Sequence, residues 1–332
     1  MAETTTRRNN KSRALFSVYC HEYKEFILKN FHILVSEEYD NERIDKCISD
    51  LTDETISRSY LQKLIKEQQV FVNQKAVKAS YRLKTNDTIE FVIPDSIEPA
   101  ILPEDIPLDI LYEDQDVIVV NKPKGMVVHP AAGHYAHTLV NALMFHCHDS
   151  LSGINGVMRP GIVHRIDKDT TGSIIACKND SSHQIIAQQL KEHSIERRYR
   201  AICHGVIVDE TGTIDAPIGR DDKDRKKMCI NRVHGKDAVT HYKVLERFHE
   251  YTYIECRLET GRTHQIRVHM ASIGHPLLGD EVYSGRKNQF SLEGQTLHAY
   301  ILGFKHPRTN EFIQTIAPLP EYFEKLLIKL AK

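Results

Sequence analysis

The chain has no long apolar run. Its hydrophobic stretches fall well short of the roughly 18 residues that a membrane span needs, so no spanning segment is expected. Paired cysteines are missing too. Cys20, Cys47, Cys147, Cys177, Cys203, Cys229 and Cys256 never come within a Cys-x-x-Cys spacing, which argues against zinc-ribbon and dithiol redox chemistry. An odd, scattered set fits reduced and mostly buried thiols in a reducing compartment. The stretch Met1 to Arg13 is polar and basic with no apolar core, so it is expected to be a flexible tail on a cytoplasmic protein. A glycine-rich nucleotide loop is absent as well. Excess charge of either sign is also lacking. The formal net charge of −1 does not mark a nucleic-acid binder, but a whole-chain sum can hide local asymmetry.

The chain does have length and apolar content. With 332 residues, 41% of them hydrophobic, it can build two cores, the larger in a domain of about 200 residues. It also has 19 histidines, densest at His146-Cys147-His148. Adjacent residues on a helix or strand point in different directions, so that triplet is a poor chelate and no metal is expected.

Residues 14 to 30 are expected to add a short helix to the tail, and Phe31 to Val35 is a short β-compatible run. A compact unit follows from Asn41 to Pro94. Ser57 suits an N-cap before a helix with Leu61, Leu64 and Ile65 on one face. Val70 to Val72, a turn at Asn73-Gln74, and Lys75 to Val77 read as a hairpin, and Ile89 to Ile93 as a further strand. Residues 43 to 84 hold nine Lys or Arg against five Asp or Glu, or +4 within a nearly neutral chain. A solvated helix face would account for that; so would a face that contacts phosphates, with Arg58, Lys63, Lys66, Lys78 and Arg82 as candidates. The order of elements favours the second. "RIDKCISDL…ISRSYLQKLIKEQQVFVNQKAVKASYRLKTNDTIEF" resembles the S4 RNA-binding domain, which implies a small α/β unit that lays a helix pair and a few strands against structured RNA.

Prolines 94, 99, 103 and 107, interspersed with acidic residues, mark a linker and a boundary near residue 98. The expected division is a tail at 1–30, an S4-like unit at 31–95, a linker at 96–107 and a larger domain at 108–332. In that domain, strands are expected at Val117–Val120, Ser173–Cys177, Tyr199–Cys203, Val239–Leu245 and Thr252–Leu258. Helices are expected at Thr138–His146, Ser181–Lys191, about His264–Ile273 and Glu321–Leu330. Many strands with few crossover helices point to an α+β fold with a mixed or antiparallel sheet.

Three clusters could carry chemistry. The densest, His164-Arg165-Ile166-Asp167-Lys168-Asp169-Thr170-Thr171, lies between apolar runs, where polar groups are costly unless they pair or serve a site. The second runs from Glu259 to His269. Ile266, Met270 and Ile273 would bury one helix face, leaving Arg267 near its edge and in want of a carboxylate. The third, Glu196 to Arg200, sets Tyr199 at the opening of a strand. Each has a bland reading as well: a polar turn, a structural ion pair, a core tyrosine.

Taken in order, "DIPLDILYEDQDVIVVNKPKGMVVHP", "GIVHRIDKDTTGSIIACKND", "RRYRAICHG", "PIGRDDKDRKKM", "RLETGRTHQIRVHMASIGHPLLGDEVY" and "LHAYILGFKHP" resemble the RluA-type RNA pseudouridine synthases over residues 105 to 320. Ile166 replaces the usual leucine, a volume-conserving change. The resemblance implies that Asp167 is the catalytic aspartate, that Tyr199 stacks on the uracil and takes part in proton removal at C5, and that Arg267 pairs with Asp167. It implies that Arg165 fills the space left by a flipped base. His164, Arg262 and Gln265 join Arg165 as candidate substrate-binding residues. The reaction breaks the bond from N1 to ribose, turns the uracil and rejoins it through C5, with no electron or energy source. No cofactor is therefore expected. RNA is the expected partner, in the look of the family members that act on large-subunit ribosomal RNA, with no membrane partner and a monomeric chain. Two rivals remain. A non-catalytic RNA-binding or ribosome assembly factor would not need Asp167, Tyr199 and Arg267 together. A glycoside or nucleoside hydrolase would want two carboxylates at a set separation, and Asp169 lies only two residues from Asp167.

Overall fold

The structure is a computed structural model that describes residues 4–7, 16–23, 26–52, 58–94, 101–130, 135–148, 150–154, 159–222, 224 and 227–332. The chain divides into two compact units, Met1–Glu98 and Pro99–Lys332.

The first unit contains strands β1 (Thr4–Arg7), β2 (Phe16–Tyr23) and β3 (Phe26–Leu34), helices α1 (Ile44–Leu51) and α2 (Arg58–Lys66), and strands β4 (Val70–Val72), β5 (Lys75–Ala76) and β6 (Thr88–Pro94). The strands form one antiparallel sheet in the order β1-β2-β3-β6-β4-β5. Leu61, Leu64 and Ile65 turn one face of α2 into the core, beside Ile44 and Ile48 of α1 and Val70, Val72 and Ile89 of the sheet. Val70 and Val72 are buried and Phe71 between them is exposed, as the two-residue strand period requires. Asn73 and Gln74 both sit at positive φ, +47° and +64°, and so close β4 onto β5 with the twist that a two-residue hairpin needs. Ser57, expected as the N-cap of α2, lies outside the described residues.

Residues 14 to 30 correct an expectation. Where a tail with a short helix was expected, β2 and β3 form a hairpin, and β3 pairs along its length with β6. The sequence there alternates Phe16, Val18 and Cys20 with Ser17, Tyr19 and His21. A row of aromatic and β-branched residues fits a pleated surface better than a helix.

In the second unit, the strands are β7 (Ile110–Glu113), β8 (Val117–Lys122), β9 (Thr171–Cys177), β10 (Glu196–His204), β11 (Thr211–Asp215), β12 (Ile218–Arg220), β13 (Met228–Ile230), β14 (Val239–Arg247), β15 (Tyr251–Leu258), β16 (Leu297–Lys305) and β17 (Phe312–Ile316). The helices are α3 (Leu139–Cys147), α4 (Asp180–Lys191), α5 (Gln265–Ser272) and α6 (Glu321–Leu330). Among the described residues, nine strands make one sheet in the order β11-β14-β15-β10-β16-β9-β8-β7, with β17 added to β16. The join of β9 to β16 is parallel and the other joins are antiparallel, so this is a mixed sheet in an α+β unit.

The continuous apolar run of β8 reflects burial on both faces. Ile118, Val120, Ile174 and Ala176 pack with Leu139 and Leu143 of α3, while Val117, Val119, Ile175 and Cys177 pack with Ile186 of α4. Thr138 caps α3 and Asn179 caps α4 through side-chain bonds to backbone N–H groups. On α3, His146 turns out to Glu113 while Cys147 is buried, so the side chains of that triplet diverge. Among the described residues, no helix is long and apolar enough to cross a membrane.

Candidate active site

The site lies where β9 meets β16. These strands share only two register pairs, His298↔Thr171 and Ala299↔Gly172, and the chain entering β9 brings residues 163–170 to that join. The approach needs a glycine. Gly172 sits at φ +103°, and a Cβ there would run into the Ala299 carbonyl oxygen. Polar bonds pin the incoming loop from several sides. The Thr171 hydroxyl meets His298 Nδ1 at 2.7 Å, Gln295 Nε2 donates to Thr170 Oγ1 at 3.1 Å, and the Gly125 N–H donates to the Lys168 carbonyl at 3.1 Å.

Lys122, at the end of β8, is a further clamp. It is 1% exposed, and its Nζ donates to the carbonyls of Pro123, Met126 and Lys168 at 2.8–2.9 Å. Burial pulls its pKa down to about 7, opposed by the charges of Asp169 and Asp167. Three carbonyl acceptors suit the three N–H donors of an ammonium; a neutral amine would turn its lone pair on one of them. The geometry therefore supports the charged form. Lys122→Met is expected to take this donor from the Pro123 and Met126 carbonyls, to leave the Lys168 carbonyl with the Gly125 N–H, and to cost about 1–3 kcal/mol in urea unfolding, with a fall in turnover, because Lys168 is next to Asp167. Wild-type stability in that variant would show that the clamp is dispensable.

The loop delivers Asp167 to a pocket walled by Ile166, Tyr199, Leu258, Ile266 and Leu297. Arg165, Arg262, His264, Gln265 and Arg267 supply its polar lining. Arg267 Nη1 donates to Asp167 Oδ2 at 2.9 Å, and His264 Nε2 stands 3.8 Å from Asp167 Oδ1. The arginine has a second, closer partner that the sequence did not reveal. Its Nε and Nη2 grip both oxygens of Asp280, at 2.7 and 3.0 Å, and the Asp280 carboxylate is wholly buried. Burial works against the charge of Arg267, yet the two carboxylates hold its pKa above the ordinary value. Asp280 also accepts the N–H groups of Val282 and Tyr283, so it fixes the arginine to the chain after α5. Tyr283 completes the surround: its ring lies 5.1 Å from the guanidinium, and its hydroxyl meets His264 Nδ1 at 2.8 Å. Burial lowers the His264 pKa, leaving a neutral imidazole beside Asp167. Asp280 and Tyr283 stand in the quoted "HPLLGDEVY" stretch, but nothing in its spacing ties them to Asp167.

Tyr199 reaches the pocket through a β-bulge. The register of β10 against β16 shifts between Arg198 and Tyr199. Its ring is 8% exposed, and burial raises the pKa of its phenol, which therefore stays protonated near neutral pH. Arg165 is exposed at the rim, with no hydrogen-bond or ion-pair partner among the described residues.

The other candidates divide. Arg262 lines the pocket and donates from Nε to the Asp237 carbonyl at 2.9 Å. Gln265 lines it as well, but its amide is fully used. Its oxygen accepts from Thr260 Oγ1 and the Arg262 N–H, and its nitrogen donates to the Val239 carbonyl and Thr240 Oγ1. It locks the start of α5 instead of offering free donors. His164 is a correction. It does not line the pocket; its Nε2 accepts the Ile175 N–H at 3.0 Å, and burial with the nearby Arg197 charge pulls its pKa to about 3. His164, three residues before Asp167, bonds to β9 while Arg165, Ile166 and Asp167 all line the pocket. In the first unit, Arg58, Lys63, Lys66, Lys78 and Arg82 are all exposed. Arg58 leans on the buried Asp45 at 3.5 Å, Lys63 on Glu67 at 3.9 Å, and Arg82 donates to the Asn41 carbonyl.

A carboxylate tied to an arginine, in a pocket with an aromatic wall, on a chain that also carries a small α/β unit with a basic stretch at residues 43 to 84, is the arrangement expected of an enzyme that acts on nucleic acid. Comparison with known proteins makes the class specific. Residues 116–272 match the family described as RNA pseudouridylate synthase, and residues 56–89 match the S4 domain. A Bacillus subtilis protein named as an uncharacterized RNA pseudouridine synthase is 54% identical over 305 residues, covering 92% of this chain and 99% of that one. The ribosomal large subunit pseudouridine synthase D of Zymomonas mobilis is 45% identical, covering 90% of this chain and 96% of its own. The solved structure of human RNA pseudouridylate synthase domain containing 4 superposes with a TM-score of 0.53 at 26% identity, covering 67% of this chain and 92% of that one. The chain belongs to the RNA pseudouridine synthases, which are isomerases.

Proposed function

We propose that this chain converts uridines of large-subunit ribosomal RNA to pseudouridine, in the cytoplasm and as a monomer. The observation that carries the reading is the Asp167–Arg267 contact of 2.9 Å in a pocket walled by Tyr199. The choice of RNA is supported by the Zymomonas mobilis and Neisseria meningitidis relatives, which are named for the large ribosomal subunit.

In this reading, Asp167 is the one catalytic carboxylate, attacking a carbon of the nucleotide or taking a ribose proton. Arg267 orients it and offsets its charge. The uracil enters against Tyr199 and the apolar walls, after leaving its stack at a cost of a few kcal/mol. Arg165, without a partner among the described residues, fills the gap left behind. The bond from N1 to C1′ breaks, the uracil turns between the walls, a new bond from C5 to C1′ forms, a base takes the C5 proton and N1 takes up a proton, so that product and substrate have the same atoms. With the RNA seated over the pocket, water would be excluded and the cleaved intermediate kept from hydrolysis. A protonated Tyr199 suits stacking; to act as a base at C5 it would first have to lose its own proton to Asp167 or to water. Residues 31–95 serve as the RNA-binding unit, through Arg58, Lys63, Lys66, Lys78 and Arg82, and residues 108–332 carry out the isomerisation.

Pseudouridine mapping in RNA from cells with and without this protein tests the assignment. One or more sites in large-subunit ribosomal RNA are expected to disappear with the gene and return with it. An unchanged ribosomal map alongside loss in another RNA would overturn the substrate; no change in any RNA would overturn the function.

A further inference from the structure

A second cleft, of about 430 Å³, adjoins the Asp167 loop, between α6 and the segment around Phe290. Phe290, Leu292, Tyr322 and Leu326 give it an apolar floor, and Lys124, Lys325 and Lys329 edge it. Two of the lysines are held over aromatic faces. Lys124 Nζ lies 4.2 Å from the centroid of Tyr322, and Lys329 Nζ lies 4.9 Å from that of Phe290. Such contacts order long side chains without neutralising them. Among the described residues, neither of these two has a carboxylate at ion-pair distance. The hydrogen bond from Lys124 is a long one, 3.5 Å to the Gly294 carbonyl. Lys325 pairs with Glu321, and Glu293 is the one acid in the lining. Three cations thus surround a cleft with a single lining carboxylate.

The position links this cleft to the chemistry. Lys124 precedes Gly125, whose N–H holds the Lys168 carbonyl, and Gly294 packs so tightly on Asp169 that a Cβ there would come within 2.6 Å of the Asp169 Cβ. We propose that the cleft seats a phosphodiester of the RNA strand that carries the target uridine, with Lys124 and Lys329 on the phosphate and Leu292 and Leu326 against the ribose. This rests on RNA being the substrate. The volume falls within the about 300–1,000 Å³ of small-ligand sites, enough for one sugar-phosphate. Burial lowers the Lys124 pKa, with Asp169 and Glu293 acting the other way, so an anion bound there would replace lost hydration. An acidic protein segment would match the charge too, but the contact with the Asp167 loop favours the strand being modified.

The test compares the wild-type protein with a Lys124→Gln/Lys329→Gln variant and a Lys124→Arg/Lys329→Arg variant. The probe is a large-subunit ribosomal RNA transcript labelled with tritium at uracil C5. The glutamine variant is expected to raise Kd and KM roughly tenfold with kcat unchanged, and to flatten the slope of log K against log salt by about 0.7 per lost single-strand contact. The arginine variant should restore both. Wild-type affinity and slope in the glutamine variant would overturn the proposal. Should that variant fold poorly, Lys325→Gln/Lys329→Gln changes only exposed positions on α6, and unchanged binding there would overturn it equally. Lost affinity for an acidic peptide with RNA binding intact would assign the cleft to a protein partner instead. A wild-type protein that binds the transcript but releases no tritium from it is a failure of the functional assignment, and the salt slopes still report on the cleft.

Discussion

Asp167→Asn is expected to stop turnover while leaving the protein folded and able to bind RNA. The amide has the shape of the carboxylate but is neither a nucleophile nor a base, so the loss should reach at least about 10³-fold. Stability should hold for a structural reason. Arg267 keeps both bonds to Asp280, and the carbonyl of the substituted amide can still accept from Arg267 Nη1 where Asp167 Oδ2 does now. The measurement is tritium release from uracil C5 under single-turnover conditions, with thermal unfolding as a control. Release at the wild-type rate would show that another group does the chemistry. Unfolding instead would show that Asp167 is chiefly a structural anion.

Arg267→Met should be damaging in both respects. Asp280 is wholly buried, and the arginine is its cation. Removing one partner of a buried pair leaves an uncompensated charge, which costs about 3–5 kcal/mol. Asp167 also loses its nearest donor, at 2.9 Å, and turnover should fall on the order of 10²-fold even at temperatures where the variant is folded. Denaturant melts and single-turnover rates separate the two effects. A double variant, Arg267→Met with Asp280→Leu, should recover part of the stability, since an apolar pair can replace a buried ion pair, while the Val282 and Tyr283 N–H groups lose their acceptor. It should recover none of the activity. A single variant with wild-type stability would mean that the buried carboxylate finds another partner; one that is also fully active would remove Arg267 from the site.

Much of the architecture is legible because burial leaves a periodic trace. The apolar run of β8, the alternation of Thr252, Ile254, Cys256 and Leu258 in β15, and the spacing of Leu61, Leu64 and Ile65 in α2 each follow from which faces meet a core. Where the trace is broken, the elements are hidden. β16 runs through the buried His298 and through Gly303, and β17 alternates with exposed Phe312 and Ile316, so neither reads as a plain strand. The N-terminal strands read as a tail because the first thirteen residues are basic and polar, and the alternation from Phe16 to His21 goes unnoticed beside them.

The site divides in the same way. By itself the sequence determined which residue types were available and in what local order: an aspartate in a polar turn before a buried strand, a tyrosine opening another strand, an arginine on a helix, and a basic surplus in residues 43 to 84. Those are local properties, set by the turn, strand and helix preferences of neighbouring residues. Only the tertiary structure decided which side chains meet. Asp167 and Arg267 are a hundred residues apart, and Asp280 reaches the same guanidinium from the far side of α5. Lys122 clasps the Lys168 carbonyl from the end of β8, and His164, three residues before Asp167, turns away to accept a backbone N–H. Gly172 allows the close join of β9 and β16 that sets the pocket floor. Spacing along a chain constrains contacts only within a turn or a strand. Contacts across the sheet are fixed by strand order and register, through backbone bonds that every residue can make.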